Sequence, residues 1–438
     1  MVASLAPVGA LLLSVALLLT GNGLQGTLLP VRANLESFGA LSIGVLGSAY
    51  YIGFVGGCLL TPHFIRRVGH IRLFAAMVSA ASVVPLVHAI LVQPAPWWLL
   101  RGLTGFCMAG LYLIIESWLN ERATRENRGL IFTTYTTVNF TVITLGQMLM
   151  LADDPLRFHL FSLASILVSL AAVPVAMTRA PAPAPISSTR LSLRSLYAVS
   201  PVGVAGVLAV GLANGAFWAM GPAFAAQTGL GVSQVAWFMS ATVIGGALSQ
   251  WPFGRLSDRM DRRHTILIAC ACAAGAGMLI VFGYAVWPKM LPVAAFLFGV
   301  FSFPLYALSA AHTNDMAKDV DFVAIAGGLL LINGAGSVIG PLIAGLTMEW
   351  MGPLGLFAFT AAIHVAMALF ALHRMRQRAA PAQEDKTEFV TMPSSAPVRA
   401  DLDPRAEEAG EAAAGQPDNG APENDQPDNG RPDSDRAG

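Results

Sequence analysis

The sequence from Ser195 to Gly254 reads SLYAVSPVGVAGVLAVGLANGAFWAMGPAFAAQTGLGVSQVAWFMSATVIGGALSQWPFG. None of its 60 residues is Asp, Glu, Lys or Arg, whereas an average soluble stretch of that length carries about fifteen charged residues. Such a composition is typical of membrane-spanning helices. It excludes an ordinary soluble enzyme, a nucleic-acid-binding protein and a disordered protein.

The rest of the chain divides into an apolar body and a polar tail. Of the 438 residues, 55% are apolar and only 12% are charged. Residues 1–378 hold 21 Lys and Arg against 12 Asp and Glu, whereas residues 379–438 hold 5 against 14. The tail is rich in Pro, Gly and acidic residues and has too few apolar residues to fold, so we predict that it is disordered.

Segments long enough to cross a bilayer recur throughout the body, since one span needs roughly 20 mostly apolar residues. Strands with period-two alternation are absent, which excludes a transmembrane β-barrel. We therefore predict an all-α polytopic membrane protein of twelve transmembrane helices. The predicted spans are 8–30, 41–63, 73–93, 96–118, 130–151, 158–178, 198–224, 232–254, 264–287, 290–312, 323–347 and 353–373.

Basic residues in the loops predict the orientation, because cytoplasmic loops of membrane proteins are enriched in Lys and Arg. With the N-terminus inside, the inside loops and the start of the tail hold seventeen basic residues. The outside loops hold three, namely Arg32, Arg157 and Lys289. Both termini are thus expected in the cytoplasm. No Lys or Arg precedes the first apolar run at Val8, so we interpret that run as a retained helix and not a signal peptide.

The two halves of the body repeat each other. At a shift of 192 residues, Asn22-Gly23 and Pro30 recur as Asn214-Gly215 and Pro222. Six spans per copy give both copies the same orientation, so the repeats are parallel and a binding site is expected between them. The predicted domains are an N-terminal six-helix bundle (1–178), a cytoplasmic linker (179–197), a C-terminal six-helix bundle (198–375) and the disordered tail (376–438).

The loop Gly254-Arg255-Leu256-Ser257-Asp258-Arg259-Met260-Asp261-Arg262-Arg263 resembles the G-x-L-x-D-R-x-G-R-R loop of the major facilitator superfamily. Its first-half counterpart, residues 62–71, is degenerate, and only Arg67 and Gly69 remain in register. The stretches Gly21-Asn22-Gly23-Leu24 and Glu116-Ser117-Trp118-Leu119-Asn120 are similar to a bacterial subgroup labelled YcaD-like. The resemblance covers all twelve spans and implies a transporter of the bacterial inner membrane.

The charges of this loop can hold one half of the protein against the other in one state and release it in the other, which is a gating role. A carboxylate at Asp258 can accept charge-assisted hydrogen bonds from nearby arginines. The alternative is that these arginines anchor the loop to anionic lipid headgroups. The gating candidates are Asp258, Arg255, Arg259, Arg262, Arg263, Arg67 and Gly69.

The resemblance also implies that spans 1, 4, 7 and 10 surround a central cavity. Each polar side chain there has an alternative role as a hydrogen bond between helices. The cavity and substrate candidates are Asn22, Gln25, Arg101, Tyr112, Asn214, Trp218, Tyr306 and Ser309, with Thr27 and Ser302 beside them.

Two ionisable residues of the fourth span need separate interpretation. Arg101 and Gly105 resemble the family's R-x-x-x-G signature, which is implicated in proton coupling, and a charge inside a span is a functional hypothesis by default. The alternative is that Arg101 snorkels to the outer surface. We expect Glu116, near the inner end, to pair with arginines of the loops. With no other acidic residue inside a span, the sequence indicates no proton carrier.

Gly336-x-x-x-Gly340-Pro341-x-x-Ala344-Gly345 in the eleventh span resembles the drug/proton antiporter motif, which that family places in helix 5. This departure weakens an assignment to drug export, and a packing seam of small residues is the alternative. The motif alone favours efflux over uptake.

Other chemistries lack their sequence motifs. No Gly-Lys dipeptide and no His-Glu dipeptide occur, so a Walker loop and the H-E-x-x-H zinc motif are missing. The four cysteines lie in apolar runs, and we interpret them as small core residues. We predict a monomeric secondary transporter without cofactor that moves a small solute by alternating access, driven by protons. The alternatives are a membrane sensor or scaffold with the same fold, and a membrane-embedded enzyme.

Overall fold

The computed structural model describes residues 8–124, 127–177, 193–284, 290–317 and 322–377, and in these ranges the chain forms helices and no strands. Twelve long helices follow one another through this part of the chain, which confirms the predicted all-α fold. They are α1 Gly9–Leu35, α2 Ala40–Val68, α3 His70–Ile90, α4 Pro94–Arg122, α5 Arg128–Met148, α6 His159–Ala176, α7 Pro201–Gln227, α8 Val232–Arg259, α9 Arg262–Gly283, α10 Leu291–Met316, α11 Phe322–Met351 and α12 Gly355–Gln377.

Eleven of the described helices are long and apolar enough to cross a membrane, and α5 is the exception. Its threonines lower its hydropathy, but the hydroxyls of Thr137, Thr141 and Thr144 each donate 2.8 Å bonds to the carbonyl four residues earlier. Such bonds satisfy the hydroxyls inside the helix. With 21 residues, α5 is about 32 Å long. This length is enough to span a bilayer, so α5 brings the number of spans to the predicted twelve.

Two helices are interrupted near prolines, and one helix ends at a glycine. Helix α10 is interrupted after Ser302 and resumes at Leu305, because Pro304 lacks the N–H that continues a helix. Helix α6 is interrupted at Ala171, three residues before Pro174, for the same reason. Gly69 ends α2 at φ 83°, a conformation that L side chains rarely adopt.

Helix packing repeats between the two halves. In the first half α1 packs on α5 and α6, α2 on α4, and α3 on α4 and α6. In the second half α7 packs on α11 and α12, α8 on α10, and α9 on α10 and α12. The halves meet where α2 packs on α11, α5 on α8 and α1 on α7. Each of these contacts has its counterpart under the repeat, as parallel repeats require.

The buried apolar side chains form three clusters that differ at the two ends of the bundle. We call the end with the α2–α3 and α8–α9 loops the inner end, and the opposite end the outer end. The outer cluster joins both halves, for example Leu28 and Trp97 with Phe217, Phe298 and Phe357. At the inner end one cluster lies within residues 8–175 and another within residues 196–371. The halves are therefore packed together at the outer end and separate at the inner end.

The predicted linker and tail lie mostly outside the described residues. Of the linker, residues 193–197 are described, and they belong to the short helix Leu193–Val199 that precedes α7. Of the tail, residues 376 and 377 are described as the end of α12. The domain boundaries remain predictions.

Candidate functional site

A cavity of about 360 Å³ lies between the halves. Residues of α1, α4, α7 and α10 line it, as predicted, and so do residues of α2, α5, α8 and α11. The cavity lies next to the place where the inner clusters separate. Its volume falls in the range of about 300 to 1,000 Å³ typical of small-molecule sites.

Three hydrogen bonds between described residues cross from one half to the other, all in the outer half of the bundle. The Leu41 amide donates to Glu349 at 3.1 Å. The Ser48 hydroxyl donates to the Val338 carbonyl at 2.6 Å. The Ser240 hydroxyl donates to the Gln147 side chain at 3.2 Å. Because Ser48 and Ser240 are equivalent in the repeat, the two halves contribute matching bonds to the outer closure.

The antiporter-like motif of α11 lies in this outer closure. A Cβ at Gly340 would meet the Leu212 carbonyl of α7, and one at Gly345 would meet the Ala40 carbonyl of α2 at 3.0 Å. Pro341 lies against Gly44 and Gly47 of α2. The small residues thus allow close approach of helix backbones, which is the packing role given above as the alternative.

Arg101 faces the cavity and not the outer surface. Its guanidinium carbon lies 4.4 Å from the centre of the Tyr50 ring, and its Nη1 donates to Gln25 Oε1 at 3.3 Å. Cation–π contact and this hydrogen bond hold the side chain at the cavity wall. Gln25 is itself buried and supports Arg101 from behind, outside the cavity lining.

The C-terminal half contributes an amide and two aromatic rings. Asn214 exchanges hydrogen bonds with Ser302, whose hydroxyl also contacts His364 Nε2 at 3.2 Å. Trp218 packs on Phe303 with ring centres 5.5 Å apart. Asn214 therefore both lines the cavity and ties α7 to α10, which combines the two roles considered for it.

Among the remaining cavity candidates, Asn22, Thr27, Tyr112 and Tyr306 line the cavity. Ser309 does not, and its prediction as a cavity residue is wrong. The Ser309 hydroxyl is fully buried against Gly206, because α7 and α10 pack closely there.

Among the loop arginines whose side chains the structure describes, none pairs with Glu116, contrary to expectation, and Arg125 and Arg128 of the adjoining loop lie outside that set. Its side chain is buried, and Oε1 accepts a 3.1 Å hydrogen bond from the Tyr135 hydroxyl of α5. Among the described residues, the titratable groups that interact with it electrostatically are Cys58, Tyr112 and Tyr135, and none of these three is a cation. All three line the cavity, so Glu116 lies directly behind the cavity wall.

Asp315, which was not among the gating candidates, is the closest described partner of Arg262. Arg262 Nε donates to Asp315 Oδ2 at 2.6 Å, and both side chains are 1% exposed. The contact of Arg262 with Asp258 is longer, 3.6 Å, and Asp258 is 39% exposed. The Arg262 Nη1 also donates to Ser257 at 2.9 Å. A buried ion pair thus fixes the start of α9 to the end of α10.

The other gating candidates fall into a buried and an exposed group. Arg263 is buried and pairs with Asp261 at 2.7 Å. Lipid anchoring is therefore wrong for Arg262 and Arg263, whose side chains do not reach the surface. Arg67 and Arg259 are exposed, and Arg255 lies over the ring of Trp251 at 4.3 Å. These three are placed where lipid headgroups can contact them.

Sequence reasoning missed the cavity residues of α2, α5 and α11. Tyr50 and Tyr51 of α2 line the cavity, and so does Cys58, which we had interpreted as a core residue. Asn139 of α5 and Asn333 of α11 line it from opposite halves. These two asparagines are 194 residues apart, close to the shift of 192 that relates the two halves, and this signal could have found them.

Comparison with known proteins agrees with this architecture. Residues 203–409 match the family model of the Major Facilitator Superfamily. The uncharacterized MFS-type transporter YcaD of Escherichia fergusonii is 25% identical over 379 residues, which cover 86% of this chain and 97% of that protein. The same name belongs to a Salmonella typhi protein that is 26% identical over 388 residues, again covering 86% and 97%.

Among solved structures, the nucleoside transporter NupG superposes with a TM-score of 0.70 at 14% identity, over 85% of this chain and 100% of that one. A bacterial homolog of the human lysosomal transporter Spinster, in an inward-facing and occupied conformation, superposes with a TM-score of 0.67 at 15% identity. That match covers 86% of this chain and 97% of the other. Both structures share the fold of this chain.

Proposed function

The chain is a transporter of the major facilitator superfamily, and on this premise we propose that it moves a small solute across the bacterial inner membrane by alternating access. The observation that carries the proposal is the cavity between the halves, closed at the outer end by a shared apolar cluster. The separate clusters at the inner end support an inward-open state. Alternating access then requires the outer cluster to part as the inner ends approach.

Proton coupling is the second part of the proposal, and Glu116 is the group we assign to it. A carboxyl that has no cationic partner among the described side chains can alternate between an ionised and a protonated form. Its position behind the cavity wall, bonded to Tyr135, supports communication between proton and solute. Ionisable residues inside membrane helices commonly mark such proton relays.

A flux assay in proteoliposomes tests both parts. Vesicles with and without the protein receive a mixture of small organic solutes and an imposed pH gradient, and mass spectrometry identifies solutes that move. We expect gradient-driven movement of at least one solute only in the protein-containing vesicles. The Glu116→Gln variant should keep solute exchange but lose its dependence on the pH gradient, since the amide cannot carry a proton.

The matched control is Glu121→Gln, an exposed carboxylate at the end of the same helix, which should behave like wild type. Full gradient dependence in Glu116→Gln would remove Glu116 as the proton carrier. Absence of any flux from folded protein would favour the sensor or scaffold.

Direction and orientation complete the proposal. The resemblance of the α11 motif to the antiporter motif supports export, and the excess of basic residues at the inner end supports cytoplasmic termini. Reporter fusions after Asp154 and after Arg190 should report outside and inside, respectively. The same compartment for both fusions would contradict the topology.

A further inference from the structure

The charge of the cavity wall is carried by one side chain. Arg101 is the only charged residue among the cavity-lining residues of the described chain. The other polar lining groups are amides, hydroxyls, phenols and one thiol. A ligand in the cavity therefore meets a single positive charge and no negative one.

Arg101 lacks an anionic partner in the described part of the chain. Its contacts there are the amide oxygen of Gln25 at 3.3 Å and the ring of Tyr50 at 4.4 Å. A guanidinium has five N–H donors, so most of its donors are available to a ligand. Charges away from bulk water are normally paired, and a ligand anion would supply the missing partner.

Aromatic rings form much of the remaining wall on both sides. Tyr50 and Tyr112 contribute from the first half. Trp218, Phe303 and Tyr306 contribute from the second half, and the Trp218 and Phe303 rings are inclined by only 32°. Such walls favour flat apolar bodies, because ring contacts stabilise a complex beyond the area they bury.

Asparagine amides add hydrogen-bonding capacity around the rings. The cavity is lined by Asn22, Asn139, Asn214 and Asn333, one each from α1, α5, α7 and α11. Within the described residues, the amide oxygens of Asn22, Asn139 and Asn333 are buried and have no hydrogen-bond partner. A ligand O–H or N–H group can satisfy such an oxygen after a side-chain rotation.

We propose that the transported solute is a planar organic monoanion, with one carboxylate-type group bound by Arg101, a flat apolar body between the aromatic walls, and at least one hydrogen-bond donor. This inference rests on the proposed transport function and specifies its substrate class. Organic cations are excluded from the class, since each would meet an uncompensated Arg101 and no carboxylate in the wall. Arg101 is then the residue that selects the charge of the solute.

Binding to purified full-length protein tests the class with three probes that share one ring system. They are 6-hydroxy-2-naphthoate, its neutral amide and the corresponding aminomethyl cation, and isothermal calorimetry measures each dissociation constant. We expect the anion to bind at least about tenfold more tightly than the amide, and the cation not to bind. Acetate, an anion without a ring, should bind more weakly than the naphthoate.

Arg101→Gln should bring the anion and the amide to within about threefold of each other, while Arg101→Lys should keep part of the preference because it keeps the charge. Arg157→Gln, at an exposed outer-loop arginine, is the matched control and should bind like wild type. Thermal unfolding of each variant checks that it is folded. Equal affinity for the anion and the amide in wild type, tighter binding of the cation, or no binding of any probe at millimolar concentration would overturn the substrate class.

Failure of this class and failure of transport are distinguishable. Alternating access can be tested by distances within the protein in the absence of ligand. Transport can be tested by the flux of a mixture of solutes of many chemical types. If the binding probes fail while the distances within the protein and the solute flux behave as expected, only the substrate class is overturned. Absence of alternating motion would instead remove the proposed function.

Discussion

At the scale of single residues, Arg262 contacts two carboxylates that differ in burial. The Arg262–Asp315 pair is short, and both of its side chains are buried. The contact between Arg262 and Asp258 is longer, and the Asp258 side chain is partly exposed. Removing one partner of a buried pair leaves an uncompensated charge, whereas an exposed contact contributes little to stability. We therefore expect Asp315 to contribute mainly to stability and Asp258 to contribute mainly to transport.

We predict that Asp315→Asn lowers the free energy of unfolding by about 3 kcal/mol and reduces folded yield, while Asp258→Asn leaves folded yield near wild type and slows transport. Asp258 is the more exposed of the two carboxylates, and its place in the family-like loop assigns it to gating. Size-exclusion profiles and thermal unfolding measure the first effect, and exchange flux measures the second. Equal yield and equal flux for both variants would contradict this division.

Asp261 supplies a pH-dependent contribution at the start of α9. Burial raises the pKa of this carboxyl, but hydrogen bonds from the Arg263 side chain and amide outweigh burial and place the pKa below its ordinary 3.8. A carboxyl with a lowered folded pKa stabilises the protein above its unfolded pKa, and the contribution is lost as the pH falls through the folded pKa.

Asp261→Asn keeps the helix cap, since Asn also caps well, but removes the charge. We expect it to lower the free energy of unfolding by about 1 kcal/mol above about pH 5. The gap from wild type should shrink as the pH falls below 3.8. Chemical unfolding at a series of pH values measures the gap. A gap that widens on acidification would show that the sign is wrong.

At the scale of helices, backbone contact between α2 and α4 depends on glycine. A Cβ at Gly53 would overlap the Gly102 carbonyl, and one at its repeat equivalent Gly245 would overlap the Phe296 carbonyl. A Cβ at Gly56, one turn further along α2, would have no neighbouring atom nearer than 4.0 Å. Gly53 and Gly56 therefore lie in the same helix, but only Gly53 is in close contact with a neighbouring helix.

We predict that Gly53→Ala lowers the free energy of unfolding by about 1 to 3 kcal/mol, the usual cost of overpacking. Gly56→Ala is the matched control and should be neutral or stabilising, because Ala favours helix by up to about 1 kcal/mol over Gly. Thermal unfolding of both variants in detergent gives the comparison. The opposite order of stability would contradict the packing of α2 on α4.

Helix length and the repeat could be predicted because they depend on composition and spacing, whereas the central role of α1, α4, α7 and α10 was implied by the resemblance to the family. The lining by α5 could not, since its threonines indicated polarity but not which face meets the cavity. The pairing of Glu116 with Tyr135 joins neighbouring helices through side-chain rotamers, which periodicity does not encode. The Arg262–Asp315 pair was missed because the gating candidates were taken from the family-like loops, and spacing along the chain does not show that Asp315 packs against Arg262.

At the scale of the whole molecule, one shared cluster closes the outer end and two separate clusters leave the inner end open. Ser48 and Ser240 supply two of the three hydrogen bonds between described residues that cross the outer closure. Each such bond contributes about 1 kcal/mol. Replacing both serines should therefore weaken the inward-open state by about 2 kcal/mol, roughly a thirtyfold change in a two-state equilibrium.

The most direct test of alternating access is a pair of distances measured by double electron–electron resonance in a background without the four native cysteines. One pair of spin labels, at Arg66 and Leu256, reports the inner end, and another, at Leu35 and Trp350, reports the outer end; all four side chains are exposed. Ser48→Ala combined with Ser240→Ala should lengthen the outer distance and shorten the inner one. Ser249→Ala, whose hydroxyl bonds only within α8, should leave both unchanged. A transporter that alternates access predicts reciprocal changes of the two distances, and fixed distances in both variants would contradict it.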